Sequence, residues 1–269
     1  MDDAQIKDLV RARYGGIAAA ADASCCAPAA SSCCGPETAS HDKARRMGYS
    51  DAELAAVPEG ANLGLSRGNP QAIAALKPGE VVIDLGSGAG FDCFLAARQV
   101  GFSGYVIGVD MTHEMLKKAR DNAVAIGARN IEFRLGELEH LPVADNTADV
   151  ILSNCVINLV PDKAQVYREA FRALNHGGRL AVSDVINTAP LSAELQSDPA
   201  LLCGCVAGAA PGGARRALAG GGRFCRCARH AEAGEPGADQ GLGAGSQPRG
   251  AYRLGHGRSP QAVSVADEP

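Results

Sequence analysis

The sequence predicts an α/β protein built on a doubly wound, Rossmann-like parallel sheet. Three observations carry that expectation. Short apolar runs alternate with helix-length segments between residue 45 and about residue 210, the first run ends in a glycine-rich turn, and carboxylates stand at the ends of the runs that follow.

The strand-like runs are Glu80 to Ser87, Tyr105 to Met111, Ile131 to Glu137, Asp149 to Val160 and Arg179 to Ile186. Between them Phe91 to Val100, Thr112 to Gly127 and Lys163 to Leu174 space their apolar positions three and four apart, as helices do. Thr112 can cap the second helix with Met115 on its core side, and Gly127 and Gly177 stand where helices should stop. Strands alternating with helices imply right-handed βαβ units and hence a parallel sheet.

Flanking this core are two parts of different character. Residues 1–44 open with a short helix-like segment, Gln5 to Tyr14. An Ala/Ser/Cys-rich stretch from Ile17 to Asp42 follows, whose lack of periodicity reads as a flexible arm. Residues 212–269 hold 13 of the chain's 33 glycines, with eight arginines and no lysine, and read as a disordered tail. The domain proper is therefore expected over 45–211.

The 269 residues are enough for one domain with extensions, and 46% hydrophobic with 21% charged residues is ordinary for a globular chain. A net charge of -4 offers no basic face for nucleic acid. No apolar run approaches the roughly 18 residues of a membrane span. Met1 to Val10 carries acids and no apolar stretch, so no signal peptide is expected, and the expected place is the cytoplasm. A monomer acting on a small molecule is the simplest expectation. Ten cysteines in such a chain point to soft-ion ligands, redox thiols or core residues rather than to a disulfide framework.

The turn after the first strand reads Asp84-Leu-Gly-Ser-Gly-Ala-Gly90. Its glycines, Gly86, Gly88 and Gly90, allow a sharp turn and a close ligand, and the helix that follows offers free N–H groups. A dinucleotide loop would want G-x-G-x-x-G, but here the third glycine comes one residue early and Phe91 takes its place. The form resembles the first motif of class I methyltransferases, whose cofactor has no pyrophosphate to neutralise. Asp110, at the end of the second strand, suits both ribose hydroxyls of an adenosine cofactor, and Met111 can pack on the adenine. Glu137 and Asn154, at the ends of the third and fourth strands, complete the candidate cofactor-binding residues. Cys93, on the first helix, is read as a core residue, and Asp145 and Asp149 are assigned no chemistry.

Cys155 lies in Ser153-Asn-Cys-Val-Ile-Asn-Leu159 beside the expected methyl donor, and Cys203 and Cys205 follow a helix-like segment. Thiolates suit trivalent arsenic, with its lone pair and three-fold geometry. Displacement by that lone pair on a sulfonium methyl needs alignment and dryness from the protein, and no proton. The runs Glu59 to Phe102, GELEHLPVADN, LSNCVINL and DPALLCGCVAGAA resemble the bacterial arsenite methyltransferases across roughly residues 45–211. That resemblance implies a class I fold, S-adenosyl-L-methionine as cofactor, and Cys155 and Cys205 as the catalytic, arsenic-binding thiols. It also implies a thiol reductant, glutathione or thioredoxin, and arm cysteines Cys25, Cys26, Cys33 and Cys34 used in redox cycling or arsenic delivery.

Two departures from the family pattern stand out. Where the family has G-C-G-N-P this chain has Ser66-Arg-Gly-Asn-Pro70, and the hard guanidinium of Arg67 cannot ligate a soft centre. Arsenite binding should then keep two thiolates and borrow a third ligand from glutathione or the arm. The resemblance also stops at Pro211, so the fold should lack its C-terminal strand pair and leave the fifth strand as an open edge. A reading-frame change near codon 212 would account for this. Under one permitted set of codons, Gly221 to His230 read with one base skipped becomes EAGFVDVRVT, a helix end and an alternating strand. The nucleotide sequence tests the idea. On that reading Cys225 and Cys227 are accidental, and the adjacent cysteine pairs of the arm lack the C-x2-C spacing of a zinc site.

Two other functions compete. Another small-molecule methyltransferase with incidental cysteines would want a His, Tyr or carboxylate base near the fourth strand, and Leu152 to Asp162 offers none but Asp162 itself, at the start of the next helix. A non-catalytic thiol-based arsenic- or metal-binding protein would not be stabilised by S-adenosylmethionine.

Overall fold

The computed structural model describes residues 1–23, 36–187 and 189–210, and beyond them the backbone of four short strands. Helix α1 (Asp3–Ala23) and helix α2 (Pro36–Arg46) precede the short α3 (Asp51–Leu54) and α4 (Gln71–Ala74). The core then runs β1 (Val81–Leu85), α5 (Phe91–Val100), β2 (Tyr105–Asp110), α6 (His113–Ala125), β3 (Ile131–Leu135), β4 (Ala148–Asn154), a 3-10 turn (Ile157–Leu159), α7 (Lys163–Ala173) and β5 (Leu174–Ser183). Helices α8 (Ala193–Gln196) and α9 (Pro199–Cys203) follow, and then strands β6 (Phe224–Cys225), β7 (Cys227–Ala228), β8 (Gly250–Leu254) and β9 (Val263–Ser264).

The main sheet has the order β3-β2-β1-β4-β5-β8-β6. Its first five strands pair in parallel, which the five expected strands required. The order reverses between β1 and β4, and ligand clefts open at the carboxyl ends of strands at such a reversal. Near-continuous burial of β1, β2 and β5 reflects helices on both faces of the sheet. One face packs Ile83, Leu85, Ile151 and Leu180 against α7, and the other packs Val82, Val106 and Leu152 against α5 and α6.

Several sequence expectations are corrected. Helix α1 runs on through Gly15 and Gly16 to Ala23, into the stretch read as flexible, and α2 occupies its far end. Alanines favour helix, and Gly15 packs on α6, where a Cβ would lie 3.0 Å from the Glu114 carboxylate. The arm cysteines Cys25, Cys26, Cys33 and Cys34 lie outside the described residues. Helix α3 was missed although Ser50 and Glu53 form a complete capping box, a legible signal. Helix α7 ends at Ala173, before Gly177, because β5 begins earlier than its apolar run suggested.

The expected open edge on β5 is also corrected. Backbone of β8 pairs antiparallel with Arg179 to Val182, and β6 pairs antiparallel with β8. An apolar edge strand presents free N–H and C=O groups that recruit a strand almost irrespective of its side chains. The other residues of 212–269, and so most of the expected tail, lie outside the described residues.

One buried ion pair ties the fold together beneath β1. Arg179 donates to both Glu80 oxygens, at 2.6 and 2.7 Å, and to the carbonyls of Ala74 and Ala75. Removing one partner strands a charge in the interior. Arg179→Ala is therefore expected to cost about 3–5 kcal/mol of stability, measured as a lowered midpoint in chemical denaturation.

Candidate active site

A cleft of about 1060 Å³, counted to its open mouth, lies over the carboxyl ends of β1, β2 and β4. Asp84, Gly86, Gly88, Asp110, Met111, Asn154 and Cys155 all line it, as expected. Gly90 does not line it. A Cβ there would fall 2.7 Å from Phe94 and 2.9 Å from Phe133, at a φ of +92 that favours glycine. Gly88 is the contrast, because a Cβ there would meet nothing nearer than Met115 at 4.0 Å. Gly90 thus closes the turn against the core, and Gly88 leaves room on the cleft side.

Asp110 braces the loop as well as facing the cleft. Its oxygens accept the Gly88 N–H at 2.9 Å and the Thr112 N–H at 2.8 Å. Asp84 is buried, and burial, followed by the nearby charge of Asp92, pushes its carboxyl well above the ordinary range. The Cys93 thiol donates to Asp84 at 3.2 Å and opposes that shift. Cys93 is thus a core residue, as read, that also orients a cleft carboxylate.

Asn154, at the cleft wall, also has partners within the protein. Its amide Nδ2 lies 2.9 Å from the Gly68 carbonyl, 3.0 Å from Asp92 and 3.1 Å from the Tyr49 hydroxyl, and its oxygen accepts the Arg67 N–H. It clips the loop carrying Arg67 onto the end of β4. Glu137 is absent from the cleft wall, where Glu139 stands instead. Lys7 pairs with Glu137 at 2.6 Å and Glu139 at 3.0 Å, and Arg11 pairs with Glu137 at 2.5 Å, so the pair of acids anchors α1.

The two sulfurs come together beside the cleft: Cys155 lines it, and Cys205, which does not, lies behind Cys155. The thiol of Cys205 donates to the Cys155 carbonyl at 2.9 Å. The ligand atoms of Cys155, Asp184 and Cys205 all lie within 4.8 Å of one another, and all three residues are buried. Cys155 stops β4 with a φ of +52 while its N–H donates to the Ser183 carbonyl at 2.7 Å, which joins the two strand ends. Burial pushes the Cys155 thiol well above its ordinary range. The hydrogen bond with Cys205 and the Asp184 charge add to this, and Arg67 pulls the other way.

Three further residues stand at this spot, two of them, Tyr14 and Asp184, with no local signal in the sequence. Tyr14 arrives from α1, donating to the Cys203 carbonyl at 3.1 Å across 189 residues of chain. Burial first, then the three thiols around it, raises its hydroxyl far above the ordinary value. Asp184 arrives from just beyond β5. Asn158 donates to the carbonyls of Val185 at 2.7 Å and Cys205 at 3.0 Å, and so holds the Cys205 segment in register. A tyrosine and a carboxylate therefore do stand near β4, supplied by distant segments, and the expected lack of such groups does not separate the competing readings.

The comparisons with known proteins belong with this geometry. A family model described as a methyltransferase domain matches residues 76–238. This chain belongs to that methyltransferase family. The match runs past the boundary drawn at 211. An arsenite methyltransferase of Halobacterium salinarum is 51% identical over 213 residues, covering 77% of this chain and 54% of the relative. One of Homo sapiens is 42% identical over 137 residues, covering 48% of this chain and 36% of the relative. The chain spans about half the length, or less, of these curated relatives. A crystal structure of an arsenic (III) S-adenosylmethionine methyltransferase from Chlamydomonas reinhardtii superposes with a TM-score of 0.58 at 34% identity, over 76% of this chain and 70% of that one. The fold is the Rossmann-like fold of class I methyltransferases, as expected.

As a methyltransferase the chain should take S-adenosylmethionine, and the cleft residues fit it. The space at Gly88 admits a ligand against the backbone, and Asp110 keeps acceptor capacity for ribose hydroxyls. Ser87 Oγ is buried with no hydrogen-bond partner among the described residues. Met111, Phe91 and Leu138 supply apolar walls. No helix among the described residues is long and apolar enough to cross a membrane.

Helix α1 of the methyltransferase covers both halves of this site. The Glu137 carboxyl is held below its ordinary value of 4.5, chiefly by the Lys7 hydrogen bond and against the effect of burial. A depressed carboxyl pKa contributes stability above the ordinary value, and that stability is lost as pH falls through the depressed one. The pairs are also partly exposed and screened by salt. Helix α1 is therefore expected to loosen below pH 4.5 and in strong salt, measured as faster hydrogen exchange of its amides ahead of global unfolding.

Proposed function

We propose that this chain is an arsenite methyltransferase that holds trivalent arsenic on Cys155 and Cys205 and methylates it from S-adenosylmethionine. The observation that carries the reading is the meeting of two buried sulfurs, one of which, that of Cys155, belongs to a residue lining the cofactor cleft. Bound S-adenosylmethionine supplies an electrophilic methyl on its sulfonium. The chain's own residues do the rest. Gly88 and Asp110 position the donor, with Met111 beside it. Cys155 and Cys205 hold arsenic at the cleft wall, and Val10, Tyr14 and Leu159 pack over the sulfurs and exclude water. The Cys155 thiol stays protonated at rest, and its proton leaves with an arsenite hydroxide as water, so the protein needs no dedicated base for ligation.

A cytoplasmic monomer drawing on glutathione or thioredoxin as reductant completes the proposal. The arm cysteines are assigned redox cycling or arsenic delivery by resemblance alone. One observation favours a second reading, a thiol-based arsenic-binding protein without catalysis: Arg67 takes a position where the family carries a third cysteine. Incubation with arsenite, S-adenosylmethionine and glutathione, followed by quantification of methylated arsenic, tests the proposal. Product is expected. Its absence, together with no shift of the melting temperature by S-adenosylmethionine, would favour the second reading. Arg67→Cys is expected to raise the rate about 10-fold or more, and an unchanged rate would count against a weakened third ligand.

A further inference from the structure

Resting on the arsenic reading, we infer that arsenite bound to this chain keeps one hydroxyl, and that the Asp184 carboxylate accepts that hydroxyl's hydrogen bond. Cys155, Asp184 and Cys205 are 7%, 5% and 3% exposed, and their ligand atoms converge within 4.8 Å. No third sulfur belongs to that group among the described residues. Arg67 is exposed and offers only cationic donors, while Cys93 is turned to Asp84. The third face of a pyramidal arsenic centre therefore meets oxygen, not sulfur.

Asp184 is built to stay there. Its oxygens accept the Val185 N–H at 2.9 Å and the Asn158 N–H at 3.2 Å, which fixes the carboxylate plane. Carboxylate oxygens each accept more than one hydrogen bond, so these backbone contacts do not by themselves bar a further donor. Asn158 ties the same segment to the Cys205 carbonyl, so the carboxylate and the second sulfur move together.

The loading step balances without any redox partner. Arsenite brings three hydroxyls. Two As–S bonds form and two As–O bonds break, and each thiol proton leaves with a hydroxide as water. Arsenic remains trivalent, retains its lone pair, and keeps one As–OH whose proton points at Asp184. A trivalent arsenic that already carries a methyl differs. Bound to two sulfurs it has no hydroxyl left, and Asp184 has nothing to accept. Asp184 therefore discriminates between the inorganic and the methylated substrate, in favour of the inorganic one.

X-ray absorption of the full chain loaded with less than one equivalent of arsenite tests this directly. Two sulfurs and one oxygen around arsenic are expected in the native chain, and three sulfurs are expected in Arg67→Cys. Three sulfurs in the native chain would overturn the inference and leave the arsenic reading standing, since a third thiol would be supplied from elsewhere. No arsenic retained, or the same spectrum after Cys155→Ser with Cys205→Ser, would overturn the arsenic reading itself. Binding measurements give a second test. Asp184→Ala is expected to weaken arsenite binding about 10-fold and to leave methylarsonous acid within about 2-fold. Asp184→Asn, which keeps an acceptor oxygen, should fall between Asp184→Ala and the native chain. Equal loss for both arsenicals in the two variants would show a purely structural role and overturn the inference.

Discussion

Replacing either Cys155 or Cys205 with serine is expected to lower arsenite methylation by more than about 100-fold, beyond the 10–100-fold that a ligand's supporting partners control. The loss comes from chemistry rather than from folding. Serine removes a soft, polarisable donor and leaves a hard one, and trivalent arsenic discriminates strongly between them. The fold should survive, because the hydrogen bond from Cys205 to the Cys155 carbonyl can be made by a hydroxyl, and the Cys155 N–H to Ser183 bond belongs to the backbone. The cofactor loop is built on separate contacts, so each variant should still gain thermal stability from S-adenosylmethionine. If, as proposed, one arsenic atom spans both sulfurs, the double substitution should be barely worse than either single one. The checks are methylated arsenic formed per unit time and the melting temperature with and without S-adenosylmethionine. A serine variant that keeps a tenth of the native rate would remove the sulfur pair from the mechanism.

The second large effect lies in the glycine turn, where neighbouring positions should fail differently. Gly90→Ala puts a Cβ within 2.9 Å of both Phe94 and Phe133 at a φ of +92. Those rings sit edge to face in the core, with centroids 6.0 Å apart, and cannot both retreat. The left-handed backbone costs about 1–2 kcal/mol and overpacking about 1–3 kcal/mol, so a total of about 2–5 kcal/mol of stability should be lost. Gly88→Ala carries a similar backbone strain but meets open space, so its stability should fall by only about 1–2 kcal/mol. Its added methyl fills the approach to the loop, and S-adenosylmethionine affinity should drop more than stability does. Chemical denaturation and calorimetric titration of the two variants separate the effects. Equal losses of stability would mean that Phe94 and Phe133 do not constrain the turn.

These expectations differ in how far the sequence alone could have led to them. The βαβ core was legible because its signals are local: a strand of five residues, a glycine turn and a helix-period run each announce themselves within a dozen positions. The cleft shares that property, since Asp84, Gly88 and Asp110 reach its wall from adjacent strand ends. Resemblance then named Cys155 and Cys205. Asn154 and Glu137 were placed at the right strand ends, but a strand end fixes where a side chain starts and not which neighbours reach it. Asn154 is taken up by Tyr49, Gly68 and Asp92, and Glu137 by Lys7 and Arg11.

Only the tertiary structure decided what surrounds the sulfurs. Tyr14 sits on a helix whose own segment says nothing of a methyltransferase site, and Asp184 follows a strand whose apolar run explains itself by burial alone. Both reach the thiol pair through packing between segments far apart in the chain, which no local period encodes. The strand beside β5 belongs to the same class. Backbone groups at an apolar edge select a partner by hydrogen bonding, so a glycine-rich segment with no strand signature can fill the place that composition left empty. Local pattern set the frame and the glycine turn, and long-range packing brought Asp184 and Tyr14 to the thiol pair.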